Sequence, residues 1–319
     1  MMKTRIFAIF FTGIFLFFGI TITAQGIEEK PKKINKTTSY SKVQNFNLSF
    51  LANAGDLGDL LLDEDFDGKN YLLIIAIDKY KYWKSLNNPV KDAMDFKKVL
   101  MERYGFEAQN IYELLNEEAT PDNIREQFDV LKNKGTNADK LVIYYSGHGF
   151  YDPAFDLGYW VPSEGRTNSG ATASYIPNDH IRNYIKAMEF RHVFMIADAC
   201  FSGALFADDK RGENSEEESM SVKSRFGLSS GNLELVSDGK KGENSPFARY
   251  LIAYLRENLQ DKVKAEELAK FVKENVENTT EQTPIKGELS GVGSEGGVFV
   301  FELQGKKEVT EEEKSKTKK

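Results

Sequence analysis

Two stretches of unbroken apolar sequence constrain this chain most. Leu141-Val-Ile-Tyr-Tyr145 leads through Ser-Gly to His148, and Val193-Phe-Met-Ile-Ala197 leads through Asp-Ala to Cys200. Runs of this length without polar alternation are what strands buried on both faces of a parallel sheet require. A third run, Tyr71 to Ile77, ends at Asp78. Helical periodicity fills the intervals. Asn88 and Pro89 read as an N-cap and first helical position ahead of Val90, Ala93, Phe96 and Leu100. Thr120-Pro121 precedes Ile124, Phe128 and Leu131, and Asn178 precedes Ile181, Ile185 and Met188. Further strands are expected at Asn110–Leu115 and around Tyr159-Trp160-Val161. Strands alternating with helices predict an α/β fold with a mostly parallel sheet covered on both faces.

The chain divides unevenly. Residues 1–24 carry Lys3 and Arg5, then an apolar stretch from Ile6 to Ile20, then small residues up to Ala24. This is the three-part pattern of a secretory signal peptide, and the stretch is short for a membrane span of about 20 residues. It directs the protein to the periplasm or outside the cell, with a bacterial-type signal; membrane contact arises only if the segment stays uncleaved. Residues 25–69 are polar and irregular and read as a linker or pro-segment. The strand–helix pattern occupies 70–206. An acidic stretch at 207–224, including Asp208-Asp-Lys-Arg-Gly-Glu-Asn-Ser-Glu-Glu-Glu218, lacks core residues and reads as an exposed loop. A second part follows at 225–304. It holds a short strand at Phe226–Ser230, a helix capped by Ser245-Pro246, another helix through Leu268 and Val272, and a closing strand over Gly297–Leu303. The tail 305–319 is a charged run.

With 40% apolar and 12% aromatic residues the chain has material for a large core. The formal charge is -7, and no basic patch interleaves with aromatics, which argues against a nucleic-acid partner. Cys200 is the only cysteine. Exported proteins commonly pair their cysteines, so a single thiol in such a chain points to reactivity. A thiolate attacks carbonyls far better than a thiol, and a neighbouring imidazole generates it near neutral pH. In an open parallel sheet, residues that follow the strands converge on the rim beyond the carboxyl ends. Asp78, His148 and Cys200 each follow a separate apolar run and so meet at one rim. His180 and His192 have no ligand-like spacing with each other or with Cys200, so no zinc site is expected.

The segments Tyr144-Tyr-Ser-Gly-His-Gly149 and Asp198-Ala-Cys-Phe-Ser-Gly203 resemble the two signature stretches of the caspase-like cysteine peptidases, in the metacaspase and bacterial caspase-like branch. Lys91-Asp-Ala93 and the closing Glu295-Gly-Gly-Val-Phe-Val-Phe301 match as well, so the similarity runs from about residue 70 to 304. The resemblance implies a caspase-like three-layer fold, with helices flanking a central sheet. It implies His148 as general base, Cys200 as nucleophile, and the backbone amides of Gly149 and Cys200 as an oxyanion hole. A glycine there lets donors approach the tetrahedral oxygen closely.

Caspases place Gln two residues before the cysteine, whereas this chain has Asp198. The resemblance to metacaspases implies a substrate pocket of Asp78, Ser146 and Asp198. Two carboxylates and a hydroxyl suit Lys or Arg through charge-assisted hydrogen bonds. The expected substrates are therefore polypeptides cut after basic residues. Self-cleavage in the 207–224 region would fall at Lys210, Arg211, Lys223 or Arg225. No cofactor is required for this chemistry. Calcium binding, frequent in metacaspases, would draw on Glu164, Asp179 and Asp208, but Asn178 stands where an acid is expected. Two other readings use the same fold: a catalytically silent interaction module, and a peptidase with different side-chain specificity if Asp78 and Asp198 face elsewhere.

Overall fold

The computed structural model of the protein describes residues 68–199, 205–206, 216–231 and 237–304. The expected signal peptide, nearly all of the 25–69 segment, Cys200, Lys210, Arg211 and the 305–319 tail lie outside them. The elements in order are β1 (Asn70–Ala76), α1 (Pro89–Arg103), β2 (Ile111–Leu115), α2 (Pro121–Lys134), β3 (Lys140–Ser146), β4 (Gly149–Asp152), β5 (Leu157–Trp160), β6 (Ile176–Pro177), α3 (Asn178–Lys186) and β7 (His192–Asp198). They continue with α4 (Glu216–Ser221), β8 (Ser224–Ser229), α5 (Pro246–Glu257), β9 (Lys262–Lys264), α6 (Ala265–Thr279), β10 (Ile285–Glu288) and β11 (Val300–Glu302).

The central sheet has six strands in the order β10-β8-β7-β3-β1-β2. All neighbours are parallel except β8 and β10, so the fold is α/β with a mostly parallel sheet. β1, β3 and β7 are buried along nearly their whole length, as their uninterrupted apolar runs require. Side-chain alternation splits the core in two. Leu72, Ile74, Val142, Tyr144, Phe194 and Ile196 face one layer with Phe96 of α1, Leu251 of α5 and Val272 of α6. Leu73, Ile75, Leu141, Ile143, Val193 and Met195 face the other, with Phe128 of α2 and Ile181 of α3. A small three-stranded sheet, β4-β5-β6, leans on this second layer, where Trp160 stacks on Tyr145 at 4.2 Å.

The second part of the chain departs from expectation in three places. The closing strand is short, and it pairs with β9 in a separate two-stranded sheet instead of joining the main one. The antiparallel edge strand β10, Ile-Lys-Gly-Glu, is too polar and too short to stand out in sequence. The 207–224 stretch is not loop throughout, because its end forms α4 and leads into β8.

That geometry places two of the four self-cleavage candidates within the fold. Arg225 lies within β8 and is 1% exposed. Its guanidinium donates to the carbonyls of Phe190 (2.8 Å), Ser224 (2.9 Å), Arg191 (3.1 Å) and Met188 (3.3 Å). Lys223 is held through its backbone, with its N–H donating to Glu295 Oε2 and its carbonyl accepting from Glu295 and Gly297. Neither residue presents an extended, accessible backbone to a peptidase.

Candidate active site

The register brings the rim together. Ala76 pairs with Ser146, and Ser146 with Asp198, so three parallel strands end level. By the same alternation that sorts the core, Ser146 follows Val142 and Tyr144, and Asp198 follows Phe194 and Ile196. Both therefore lie on the side of α1 and α5. There they line a cleft of about 420 Å³ with Gly147, His148, Asp92, Ser245, Asp238 and the segment from Lys84 to Asn87.

The floor of the cleft is acidic. Asp198 is buried and accepts a 2.7 Å hydrogen bond from Ser245 Oγ. Ser245 is the N-cap of α5 and accepts from Ala248 N at 3.0 Å. Asp92 projects from the first turn of α1 and is 1% exposed. It accepts from Asn244 Nδ2 at 2.7 Å and from Ser245 N at 3.2 and 3.3 Å. Burial pushes the Asp198 carboxyl up to about 6. Burial, and next the charge of Asp198, push Asp92 up to about 7. Among the described residues neither carboxylate has an ion-pair partner.

Asp78 sits elsewhere. Its Oδ1 accepts from Val90 N at 2.9 Å, which caps α1, and it is not among the residues lining the cleft. Asp92 occupies the position expected of Asp78. The sequence carried a signal for this. Asp92 stands four residues before Phe96 and seven before Val99, on the buried stripe of α1, where an acid needs a reason. Asn88, the expected N-cap, makes no side-chain cap bond because its amide is engaged with a later segment of the chain.

His148 follows β3 on the turn into β4. Its Nε2 lies 2.7 Å from the carbonyl oxygen of Lys84. A carbonyl only accepts, so Nε2 carries the proton and the neutral ring keeps its lone pair on Nδ1. The ring lies against Tyr80 (4.8 Å between centroids) and Trp83 (5.0 Å). Burial lowers its pKa, which favours the neutral form of the ring. The His148 amide donates to Tyr80 Oη at 2.7 Å. Gly147 permits that approach, since a Cβ there would lie 2.4 Å from the Tyr80 hydroxyl. Gly149 opposes Trp160 in β5, while the adjacent pair carries the bond from Val161 N to His148 O. Gly149 therefore falls at the non-hydrogen-bonded position of the ladder, with its amide turned away from β5. The nucleophile candidate Cys200 follows Ala199 directly in sequence but lies outside the described residues.

Two of the three acids considered for calcium stand beside cations. Glu164 lies 4.0 Å from Lys81 and Asp179 pairs with Arg182, while Asp208 is outside the described residues. Among the described residues no group of three or more His, Cys, Asp or Glu is placed to hold a metal ion. His192 is buried in β7, and burial together with Lys140 and Arg191 lowers it to about 3; His180 is exposed on α3. Sequence reasoning missed Asn244, Ser245 and Asp238, which are polar residues of loops. It also missed the Lys84 carbonyl, which carries no side-chain signal at all.

Comparison with known proteins is consistent with this geometry. The sequence pattern of the caspase domain matches residues 69–317. Metacaspase-4 of Arabidopsis thaliana is 32% identical over 165 residues, covering 45% of this chain and 38% of the relative. Metacaspase-6 of the same plant is 29% identical over 161 residues, covering 46% and 42%. The match thus spans about two fifths of the length of these relatives. A crystal structure of a Geobacter sulfurreducens protein, 18% identical, superposes with a TM-score of 0.50 over 72% of this chain and 99% of that one, a likeness of fold alone. With the family pattern covering most of its length, the chain belongs to the caspase-domain family of cysteine peptidases.

Proposed function

We propose that the protein is an exported cysteine endopeptidase that cleaves polypeptides after Arg or Lys through Cys200 and His148. The observation that carries the specificity is the pairing of Asp92 and Asp198 at the floor of the cleft beside Ser146 and His148. Two buried carboxylates with no ion-pair partner among the described residues are costly in isolation and become favourable when a guanidinium or ammonium enters between them. An Asp side chain would instead meet like charge there.

In the proposed reaction His148 Nδ1 takes the thiol proton of Cys200, and the thiolate adds to the scissile carbonyl carbon. The amides of Gly149 and Cys200 hold the oxyanion. Collapse expels the amine, which takes its proton from the His148 imidazolium and leaves an acyl-enzyme. Water, losing a proton to His148, then releases the acid and restores the thiol. The Lys84 carbonyl accepts from Nε2 throughout and keeps Nδ1 available.

Self-cleavage belongs to the same proposal, at Lys210 or Arg211, within the acidic sequence between the two parts of the fold. Export rests on residues 1–24, which fit a cleavable signal.

The test is turnover of paired reporter peptides ending in Arg or Asp by wild type and Cys200→Ala, with and without calcium. Turnover of the Arg peptide by wild type alone is expected. Equal turnover by the alanine variant, or preference for Asp, overturns the assignment. Intact-mass analysis of the same samples is expected to find a cut after Lys210 or Arg211 in wild type only.

A further inference from the structure

The carbonyl that orients His148 lies on a stretch with no ladder of its own. Residues 84–88 are neither helix nor strand, and Lys84, Ser85 and Asn87 are exposed. A segment of this kind stays in place only through the partners its backbone finds. One anchor is local, with Leu86 N donating to the Asp78 carbonyl at 2.8 Å. Another comes from about 150 residues later in the chain. Asp238 accepts from the backbone amides of Asn87 (Oδ2, 2.5 Å) and Asn88 (Oδ1, 3.1 Å).

Asn88 returns the contact. Its side chain is fully buried, donates from Nδ2 to the carbonyls of Asp238 and of Lys240 (3.0 Å), and accepts from Gly242 N at 2.9 Å. The carboxylate of one segment thus fastens the backbone of the other, and the amide of the other fastens the first. The two halves form a clasp that closes three residues from Lys84.

We infer that Asp238 is a positioning residue for the general base, acting through the backbone of Asn87 and Asn88 to hold the Lys84 carbonyl against His148 Nε2. This rests on the peptidase reading for its effect on rate, though not for its effect on the ring. The clasp makes the base in the first part of the chain depend on a loop of the second part, between β8 and α5. Asp238 also lines the cleft, whereas Asn88 does not, and this difference separates positioning from substrate contact.

The experiment uses the full chain, with Asn88→Ala, Asp238→Ala, the double variant, and Asp238→Asn, which keeps shape but only one acceptor. The chain has three histidines, so nitrogen NMR of the rings gives few signals, and the buried His192 reports whether each variant is folded. In wild type His148 is expected as a single neutral tautomer protonated at Nε2. Both alanine variants are expected to lose that signature to the same extent as the double variant, since the halves act as one unit. Asp238→Asn is expected to lose it in part. On the Arg reporter kcat should fall about 10- to 100-fold in the alanine variants, the scale of a small misplacement in a catalytic constellation, with KM little changed. An unchanged His148 signature in Asp238→Asn or in any folded alanine variant overturns the inference whatever the activity. A rise in KM for Asp238→Ala alone, with Asn88→Ala silent, also overturns it and makes Asp238 a substrate contact. Loss of the tautomer in a protein that cleaves nothing supports the clasp and refutes the peptidase.

Discussion

Asp92 is held at a charge the fold disfavours, and this has consequences for both binding and stability. A carboxyl in the unfolded chain loses its proton near pH 4, whereas burial pushes Asp92 up to about 7. Between those values the folded state keeps a proton that the unfolded chain has lost, so stability falls as pH rises through this window. Asp92→Asn is expected to raise the unfolding free energy at pH of about 8, on the order of 2–4 kcal/mol, and to change little at pH of about 4. Calorimetry at the two pH values checks it. Activity should move the opposite way. With Asp198 up at about 6, the cleft loses its charge as pH falls from about 7 to below 6, and KM for an Arg reporter should climb over that range. In Asp92→Asn the reporter's kcat/KM should drop at least about 10-fold at neutral pH, the scale of a lost charge-assisted hydrogen bond.

At the scale of elements, α1 is the hinge of the site. Asp78 caps it, Asp92 projects from its first turn, and Asn88 ahead of it closes the clasp. Asp78→Ala should cost about 1 kcal/mol, as loss of a cap does, while the preference for Arg over Asp reporters survives. A denaturant midpoint measured beside the reporter ratio separates a cap from a pocket residue. Gly147→Ala should displace the Tyr80 hydroxyl from the His148 amide, because the new Cβ would sit 2.4 Å from it. Its rate is expected to fall with the fold retained, which near-UV circular dichroism would verify.

These elements also explain what the sequence made legible. β1, β3 and β7 are continuous apolar runs because both their faces are covered, and that pattern survives translation into one dimension. That His148, Ser146 and Asp198 share one rim was legible because they stand at the ends of those runs. Asp78 was misplaced because following a strand says which rim a residue reaches, not which neighbour it meets. A cap two residues into α1 took its carboxylate. Asn88 stands at the N-cap of α1 ahead of Pro89, as expected, but long-range bonds to Lys240 and Gly242 occupy the side chain that a local cap would use. β10 is short and polar and is held by pairing with β8, whereas β11 shows as an apolar strand in sequence and only its pairing with β9, outside the main sheet, is not written there.

Across the whole molecule, the strand that follows the acidic stretch lies inside the sheet and not beside it. β8 sits between β7 and β10, with Phe226 and Leu228 in the core and the Arg225 guanidinium bound to carbonyls around the end of β7. Lys140 of β3, 3% exposed, reaches Glu302 of β11 at 3.0 Å. A chain cut at Lys210 or Arg211 should therefore stay one particle. Size-exclusion chromatography of nicked protein is expected to give a single peak at the uncut position, with two fragments separating only in denaturant. Fragments that separate in native buffer would contradict the interleaving.

The interleaving also sets a schedule for the chain as it is made. His148 and Asp92 leave the ribosome well before Asp238 and Ser245, and β7 must wait with an open edge until β8 arrives to cover it. A nascent chain thus holds a histidine without its clasp and acids without the cap of α5. Under the peptidase reading, the order in which the residues are joined keeps the site incomplete until its last segments have been made.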